Sequence, residues 1–450
     1  MKTRNMTIGT PWKLILAVAL PLMLGNIFQQ MYTVVDTAVV GNVLGVGALA
    51  ALGASDWFNW MFLSIVQGLA QGFTIPVAHS YGAGDMQTLR RNIASSIKLG
   101  ILLGLSLCAV ALLSITPVLT LLNTPETILP VSRSYLRILF AGTPVLMAYN
   151  LMAGILRALG DGKSPLIAMI IASVTNILLD ILFVVYFHWG VEGAAVATVI
   201  AQIISCIYCL FRFRDIEIVR LKKEDFVRDH RISIRQLKLG TPLALQNIVI
   251  CVGGMILQRV VNNMGVLFIA GFTATNKLYG ILEVAATSSG YAITTYVGQN
   301  LGANKPGRIR RGMRSALIMN IIIAAFIGGL MLVLGKPILS LFITGTPDEI
   351  AVSLNYAYEF LAVMSLGLPI LYILYTYRSA LQGLGDTIMP MMSGFAEFIM
   401  RTGSALMLPA LIGYKGIFIA EVLAWLGADI ILVSSYYRHI ARMPVSPPEN

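Results

Sequence analysis

Runs of twenty or more mostly apolar residues recur from Leu14 almost to the C-terminus. A helix needs about 20 such residues to cross a ~30 Å hydrocarbon layer, whereas a buried strand needs roughly four to eight. Lipid offers the backbone no hydrogen bonds, so runs of this length fold as helices. They lack the two-residue alternation of an outer-membrane barrel. Charged residues make up 12% of the chain, about half the share of an average soluble domain. The reading is an all-α polytopic membrane protein. The first run follows Lys2 and Arg4, as a signal peptide would, but it is too long for a signal core and lacks a small-residue cleavage site. A retained first helix is expected, with Thr10 as N-cap and Pro11 at its first position.

Twelve spans are expected, at residues 14–40, 51–78, 93–116, 131–156, 165–187, 191–211, 239–263, 268–297, 313–342, 351–381, 388–412 and 416–437. Lys and Arg collect on one side of this topology. The termini, the 78–93 connection with its flank, the turns near 157–163, 305–314 and 378, and the 212–238 linker hold 25 of the 32. Both termini are therefore expected on the cytoplasmic side of a bacterial-type plasma membrane. Topology accounts for the net charge of +11, and no nucleic-acid partner is expected.

The chain repeats itself. "AHSYGAGDMQTLRRNIASS" from Ala78 aligns with "GQNLGANKPGRIRRGMRSA" from Gly298 at an offset of 220. "LRALGDGKSP" from Leu156 aligns with "LQGLGDTIMP" from Leu381 at an offset of 225. Two six-helix bundles follow, at 1–211 and 239–450, joined by the charged 212–238 linker. Six is even, so both bundles enter the membrane in the same sense. An axis along the membrane normal should relate them, with a central cleft, as in secondary transporters.

Three motifs suggest other chemistry and fail on context. "GDGKS" at Gly160 lacks the earlier glycine and the preceding strand of a phosphate-binding loop, and reads as a turn and helix start. "CIYC" at Cys206 has metal-like spacing but no second ligand pair. "YGAGD" at Tyr81 has no βαβ context and reads as a tight turn. No catalytic residue, cofactor or ATP-binding domain is expected, so any pumping must draw on an ion gradient.

The buried acids are more informative. An unpaired Asp near the centre of a spanning helix costs about 2.5–3.5 kcal/mol and marks ion pathways. Asn176 and Asp180 share one helix face at i, i+4. Asp180 lies about 22 Å along the fifth span, Thr198 about 10 Å into the sixth from the other side, and Asp36 about 33 Å along the first. With tilt and a bend at Pro21, all four reach one level. At the repeat offsets Asp36 corresponds to Leu257 or its neighbour Gln258, Asn176 to Arg401, and Asp180 to Ala405. The acidic cluster thus occurs once on a duplicated scaffold, which favours function over folding.

Gln29, Tyr32, Gln67, Asn150, Gln246 and Glu283 are candidates for the substrate cleft, with buried interhelical hydrogen bonding an equal alternative for the amides. Met and aromatic residues are expected mostly to face lipid or the core, with a minority in the cleft to suit apolar ligands. Glu397 and Arg401, four residues apart, are expected to neutralise each other. Arg259 and Lys277 also need partners.

At this point the chain resembles the multidrug and toxic compound extrusion (MATE) family over nearly its whole length. The resemblance rests on the two six-span halves, "ALPLMLGNIFQQMYTVVDTAVVG", the paired "YGAGD…LRR" and "LGANK…IRR" turns, and "NILLDILFVVYFHWGVEGAAVAT". Asp36, Asn176, Asp180 and Thr198, with Pro21, match the cation-site pattern of the DinF-like branch. The resemblance implies a monomeric antiporter in membrane lipid that exports small organic, often cationic, compounds against inward H+ or Na+. No metal other than that Na+ is expected. Two alternatives stand beside it. A flippase for lipid-linked or polysaccharide precursors would favour a strongly basic cleft, and a channel or non-transporting receptor would leave the repeat unexplained.

Overall fold

The computed structural model describes residues 3–444 except 123, 228 and 344, apart from the side chains of 37, 38, 42, 46 and 49. All regular structure among the described residues is helical. The elements are α1 (Pro11–Leu44), α2 (Val46–Ala83), α3 (Met86–Leu121), α4 (Leu129–Ala141), α5 (Thr143–Ala158), α6 (Lys163–Asp180), a π-helical turn (Ile181–Tyr186) and α7 (Gly190–Asp215). Then follow α8 (His230–Asn262), α9 (Val266–Gly302), α10 (Pro306–Ser340), α11 (Pro347–Gly383), α12 (Ile388–Met407), α13 (Pro409–Ile412) and α14 (Lys415–Ala441).

Ten of the described helical segments are long and apolar enough to span a bilayer. The pair α4 and α5, bent by 46° where Gly142 meets the Thr143–Pro144 helix start, makes an eleventh. The twelfth, α9, is membrane-length but more polar, because protein rather than lipid covers it. Its Ser288, Ser289, Thr295, Gln299 and Asn300 are all buried. Ser289 donates to Asn320 (2.8 Å), and Asn320 donates to Thr376 (2.7 Å), so the polar groups are satisfied within neighbouring helices. The twelve expected spans each have their helix.

The chain forms two compact units. One comprises Leu20–Ala244 with a short stretch ending at Asn5, and the other Met6–Ala19 with the chain from Leu245 onward. In the first, α2, α3 and α5 pack together and α6 pairs with α7. Apolar clusters around Phe73, Leu89 and Ile155, and around Phe58, Phe62 and Phe140, fill this unit. The linker packs here too, burying Ile216 and Val219 and pairing Asp225 with Arg90 at 3.4 Å. In the second unit α11 packs on α9, α10 and α14, and α12 pairs with α14. The rings of Phe268, Phe418, Phe360 and Phe272 form a closed cluster of four there, each stacked on two others. Met6 belongs to this unit because its N–H donates to Gln299 (2.8 Å), while Arg308 reaches the carbonyl of Gly9 (2.8 Å).

The sequence repeat has a physical counterpart in both halves. Gly84 closes α2 in the left-handed region (φ 73°), and Asn304, 220 residues on, closes α9 there as well (φ 53°). Asp85 then caps α3 by accepting from the backbone N–H of Thr88 (2.9 Å). The Thr88 side chain and backbone together hold that carboxyl below the usual carboxylate range. In "GDGKS", Asp161 accepts from the N–H groups of Lys163 and Ser164, both at 3.0 Å. Asp386 does the same for Ile388 and Met389 at 3.1 Å. Both motifs are helix starts.

The start of α8 lies against α2 with backbones nearly in contact. A Cβ on Gly72 would stand 2.3 Å from the Gly240 Cα, and one on Gly68 2.7 Å from the Ala244 nitrogen. Small residues four apart allow that approach in a membrane helix. Gly72→Ala is expected to lower the thermal midpoint of the purified protein clearly, because backbone cannot yield as a side chain can. Gly329→Ala, where nothing lies within 4 Å, should leave it unchanged.

Candidate functional site

The helices α6 and α7 carry most of the predicted cluster. The sequence of α7 begins "GVEGAAVAT", and its buried Ala194, Ala195, Ala197 and Ala201 let α6 come close. Ser205 donates to the Ala168 carbonyl at 2.9 Å, tying the pair one level further along. Asn176 and Asp180 are fully buried, and the Asn176 amide donates to the Thr198 hydroxyl at 3.2 Å. Thr198 spends its own proton on the Ala194 carbonyl (3.1 Å), which leaves its oxygen as an acceptor.

Asp180 is the last residue of α6, and the helix widens into the π-helical turn directly after it. Such turns shift the backbone register and recur at functional sites. Phe183, Phe187 and Trp189 stack over the turn, with Phe183 and Trp189 4.8 Å apart. Helix α1 runs through Pro21 and meets α6 at Gly25, where a Cβ would stand 2.8 Å from the Met169 sulfur. Along α1 from that contact, the half-buried Asp36 brings its carboxyl within hydrogen-bonding reach of Asp180.

All four predicted residues, Asp36, Asn176, Asp180 and Thr198, therefore meet in the first unit. The chemistry of the meeting is acceptor-rich. Oδ1 of Asp36, Oδ1 of Asn176 and both carboxyl oxygens of Asp180 are buried without a hydrogen-bond donor. Ionised carboxylates only accept, so two in contact need a proton between them or a cation among them. A set of four unsatisfied oxygens from an amide and two acids suits either one. Unmet, each would cost about 1–3 kcal/mol.

Two further residues stand at this site. Asp56 of α2 lies close enough to repel Asp36, and Tyr135 of α4 feels Asp36, Asp56 and Asp180 together. Asp56 had a signal in the sequence, as an acid five residues inside the second span. Tyr135 had none, since tyrosines are scattered through the apolar runs.

The residues assigned to a cleft fall in different settings. Tyr32 joins the acidic site through Asp36 and Asp180, while Gln29 and Gln67 are exposed. Asn150 turns back to the Leu146 carbonyl of its own helix (2.9 Å). Gln246 is buried against Gly394 of α12. Glu283 accepts from the Tyr375 hydroxyl. Arg259 and Lys277 are exposed. Glu397 and Arg401 lie 3.9 Å apart, but each has a nearer partner, Arg378 and Glu421 respectively.

Comparison with known proteins agrees with this architecture. The MatE family profile matches residues 21–182 and 242–406, one stretch in each half. The chain is 29% identical over 423 residues to "Probable multidrug resistance protein YpnP" of Bacillus subtilis, covering 93% of both chains. It is 27% identical over 334 residues to "DNA damage-inducible protein F" of Escherichia coli, covering 72% of this chain and 71% of that one. Its fold superposes with a TM-score of 0.91 on an outward-facing multidrug resistance MATE family transporter of the MOP superfamily. That structure is 22% identical and is matched over 98% of this chain and 99% of its own.

Proposed function

The chain belongs to the MatE family of multi-pass membrane transporters, and from that premise we propose that it exports small organic, often cationic and amphipathic, molecules in exchange for H+ or Na+. The observation that carries the ion half of this reading is the set of donorless buried oxygens on Asp36, Asn176 and Asp180. The multidrug names of relatives such as the B. subtilis protein support the substrate half.

Exchange requires that ion and substrate oppose each other's binding, a reciprocal coupling. Here the ion is taken up between Asp36 and Asp180, with the Asn176 and Thr198 oxygens beside them. When the pair is neutralised, the charge that organises the polar contacts around α1 is gone. Pro21 already lacks one backbone hydrogen bond, so α1 bends there at low cost and transmits the change. When the ion leaves, the carboxylates again favour a cation. An inward-moving positive charge gains about 2.3 kcal/mol per 100 mV of membrane potential.

The protein works in a bacterial-type plasma membrane, as a monomer, with both termini cytoplasmic. The gathering of 25 of 32 basic residues on one side supports that orientation. No cofactor enters the scheme. The test is transport in proteoliposomes holding a fluorescent organic cation under an imposed ΔpH or ΔNa+. Accumulation driven by either gradient supports the reading. Downhill leakage that ignores both gradients would overturn it.

A further inference from the structure

Ahead of α1 the chain is held much as a bound peptide would be. Met6, Thr7, Ile8 and Gly9 form a turn and a bend, with Met6 fully buried and Thr7 5% exposed. Four side chains from the end of α9 and the start of α10 take hold of the backbone of this strap. The Met6 N–H donates to the Gln299 side-chain oxygen (2.8 Å). The Met6 carbonyl accepts from the Asn300 amide (3.1 Å) and from Arg308 (3.3 Å). Lys305 donates to the Thr7 carbonyl (3.1 Å), and Arg308 to the Gly9 carbonyl (2.8 Å).

Arg308 is the most constrained of the four. Its side chain lies with the residue 8% exposed, and its Nε donates to the Asn300 oxygen at 3.1 Å. Its hydrogen bonds among the described residues go to neutral oxygens, two of them strap carbonyls. A buried guanidinium is tolerated only while its donors are met. The α9–α10 turn is therefore a receptor for the strap, because without the strap Arg308 would keep only its bond to Asn300.

The receptor occurs once on the duplicated scaffold. At the repeat offset of 220, Gln299, Asn300, Lys305 and Arg308 correspond to His79, Ser80, Asp85 and Thr88. There the Asp85 carboxyl accepts from the Thr88 N–H and caps α3 instead. A contact needed by the fold alone would be expected in both copies.

The strap leads directly into α1. Residues up to Ala19 belong with the second unit and α1 from Leu20 with the first, so Pro21 lies at the changeover. Asp36 stands about 22 Å beyond Pro21 along the helix. We propose that Arg308 is a positioning residue for the ion exchange inferred above, on which this assignment rests. Through the strap it fixes the first end of α1, so a bend at Pro21 moves the part of α1 that bears Asp36. With that end loose, the free end takes up the bend, and neutralising Asp36 has less effect on the substrate.

The experiment reads the strap and its consequence separately, on the full-length protein in lipid nanodiscs. A spin label on Ile8→Cys, a position 69% exposed, reports strap mobility once Cys108, Cys206, Cys209 and Cys251 are changed to Ala. The label should be restricted in the otherwise unaltered protein and mobile in Arg308→Gln. The consequence is the ratio of ethidium affinities in alkaline Na+-free buffer and in acidic or Na+-rich buffer. Arg308→Gln should shrink that ratio by roughly threefold or more, while ethidium still binds in the alkaline Na+-free buffer.

A role in folding alone would lower the thermal midpoint and leave the ratio of the folded protein intact, which overturns the proposal. A label that is mobile without the substitution, or still restricted with it, overturns it as well. A wild type whose ethidium affinity ignores both ions overturns the exchange itself, and this proposal with it. That failure is distinct, because it needs no variant to appear. If Arg308→Gln does not insert, Met6→Ala, which releases the strap from its own side, takes its place under the same criteria.

Discussion

Asp180→Asn is expected to reduce gradient-driven efflux to the background of empty liposomes while the protein still inserts and purifies as a monodisperse species. The side chain is fully buried, with both carboxyl oxygens lacking a donor. Asparagine keeps its shape and adds an N–H pair that can satisfy Asp36, so folding should not suffer. A neutral amide, however, neither takes up nor releases a charge at this position. The remaining Asp36 cannot share a proton with it, and a Na+ would lose one of its two anionic ligands. The measurement is substrate accumulation in proteoliposomes under ΔpH and ΔNa+, with insertion checked by quantitative gel filtration. Wild-type accumulation by a folded Asp180→Asn protein would place the coupling elsewhere.

The largest effect on stability is expected at Arg378. Arg378 is 7% exposed, and its guanidinium is the nearest partner of Glu397, which is 3% exposed. Arg378→Met keeps much of the apolar stem, removes the guanidinium and strands the acid. Removing one partner of a buried pair costs about 3–5 kcal/mol, because the other charge is left uncompensated. Arg401, 3.9 Å from Glu397, offsets part of the loss, so the lower end of that range applies. The double variant Arg378→Met with Glu397→Leu removes both charges and should recover most of the lost thermal midpoint. Equal losses in the single and double variants would mean that packing, not charge, dominates there.

These residues also mark the limits of what the sequence makes legible. Span number and the internal repeat rest on runs of twenty residues and on paired turn motifs, which are one-dimensional signals. The convergence of Asn176, Asp180 and Thr198 was legible too, because helical periodicity and depth in a bilayer are set by residue count alone. The π-helical turn after Asp180 was not, since "ILFVVY" is as apolar as any helical run. Nor was the partner choice of Glu397. Spacing of four suggested Arg401, but the nearer guanidinium comes from α11, nineteen residues away, and only packing of α11 against α12 decides that. The approach of Gly72 to Gly240 likewise depends on which helices become neighbours. Asp56 was legible as a residue and not as a member of the site, because its neighbour Asp36 is on another helix.

In the proposed exchange Asp36 acts as a switch, charged in one state and neutralised by H+ or Na+ in the other. The most direct measurement is substrate affinity as a function of pH and Na+, for the wild type and for Asp36→Asn in the same lipid nanodiscs. Asparagine resembles the neutralised side chain in size but cannot cycle. The wild type should bind the substrate more weakly as pH falls or Na+ rises, and Asp36→Asn should bind it with an affinity that depends on neither. A folded Asp36→Asn protein that keeps the wild-type ion dependence would contradict the account.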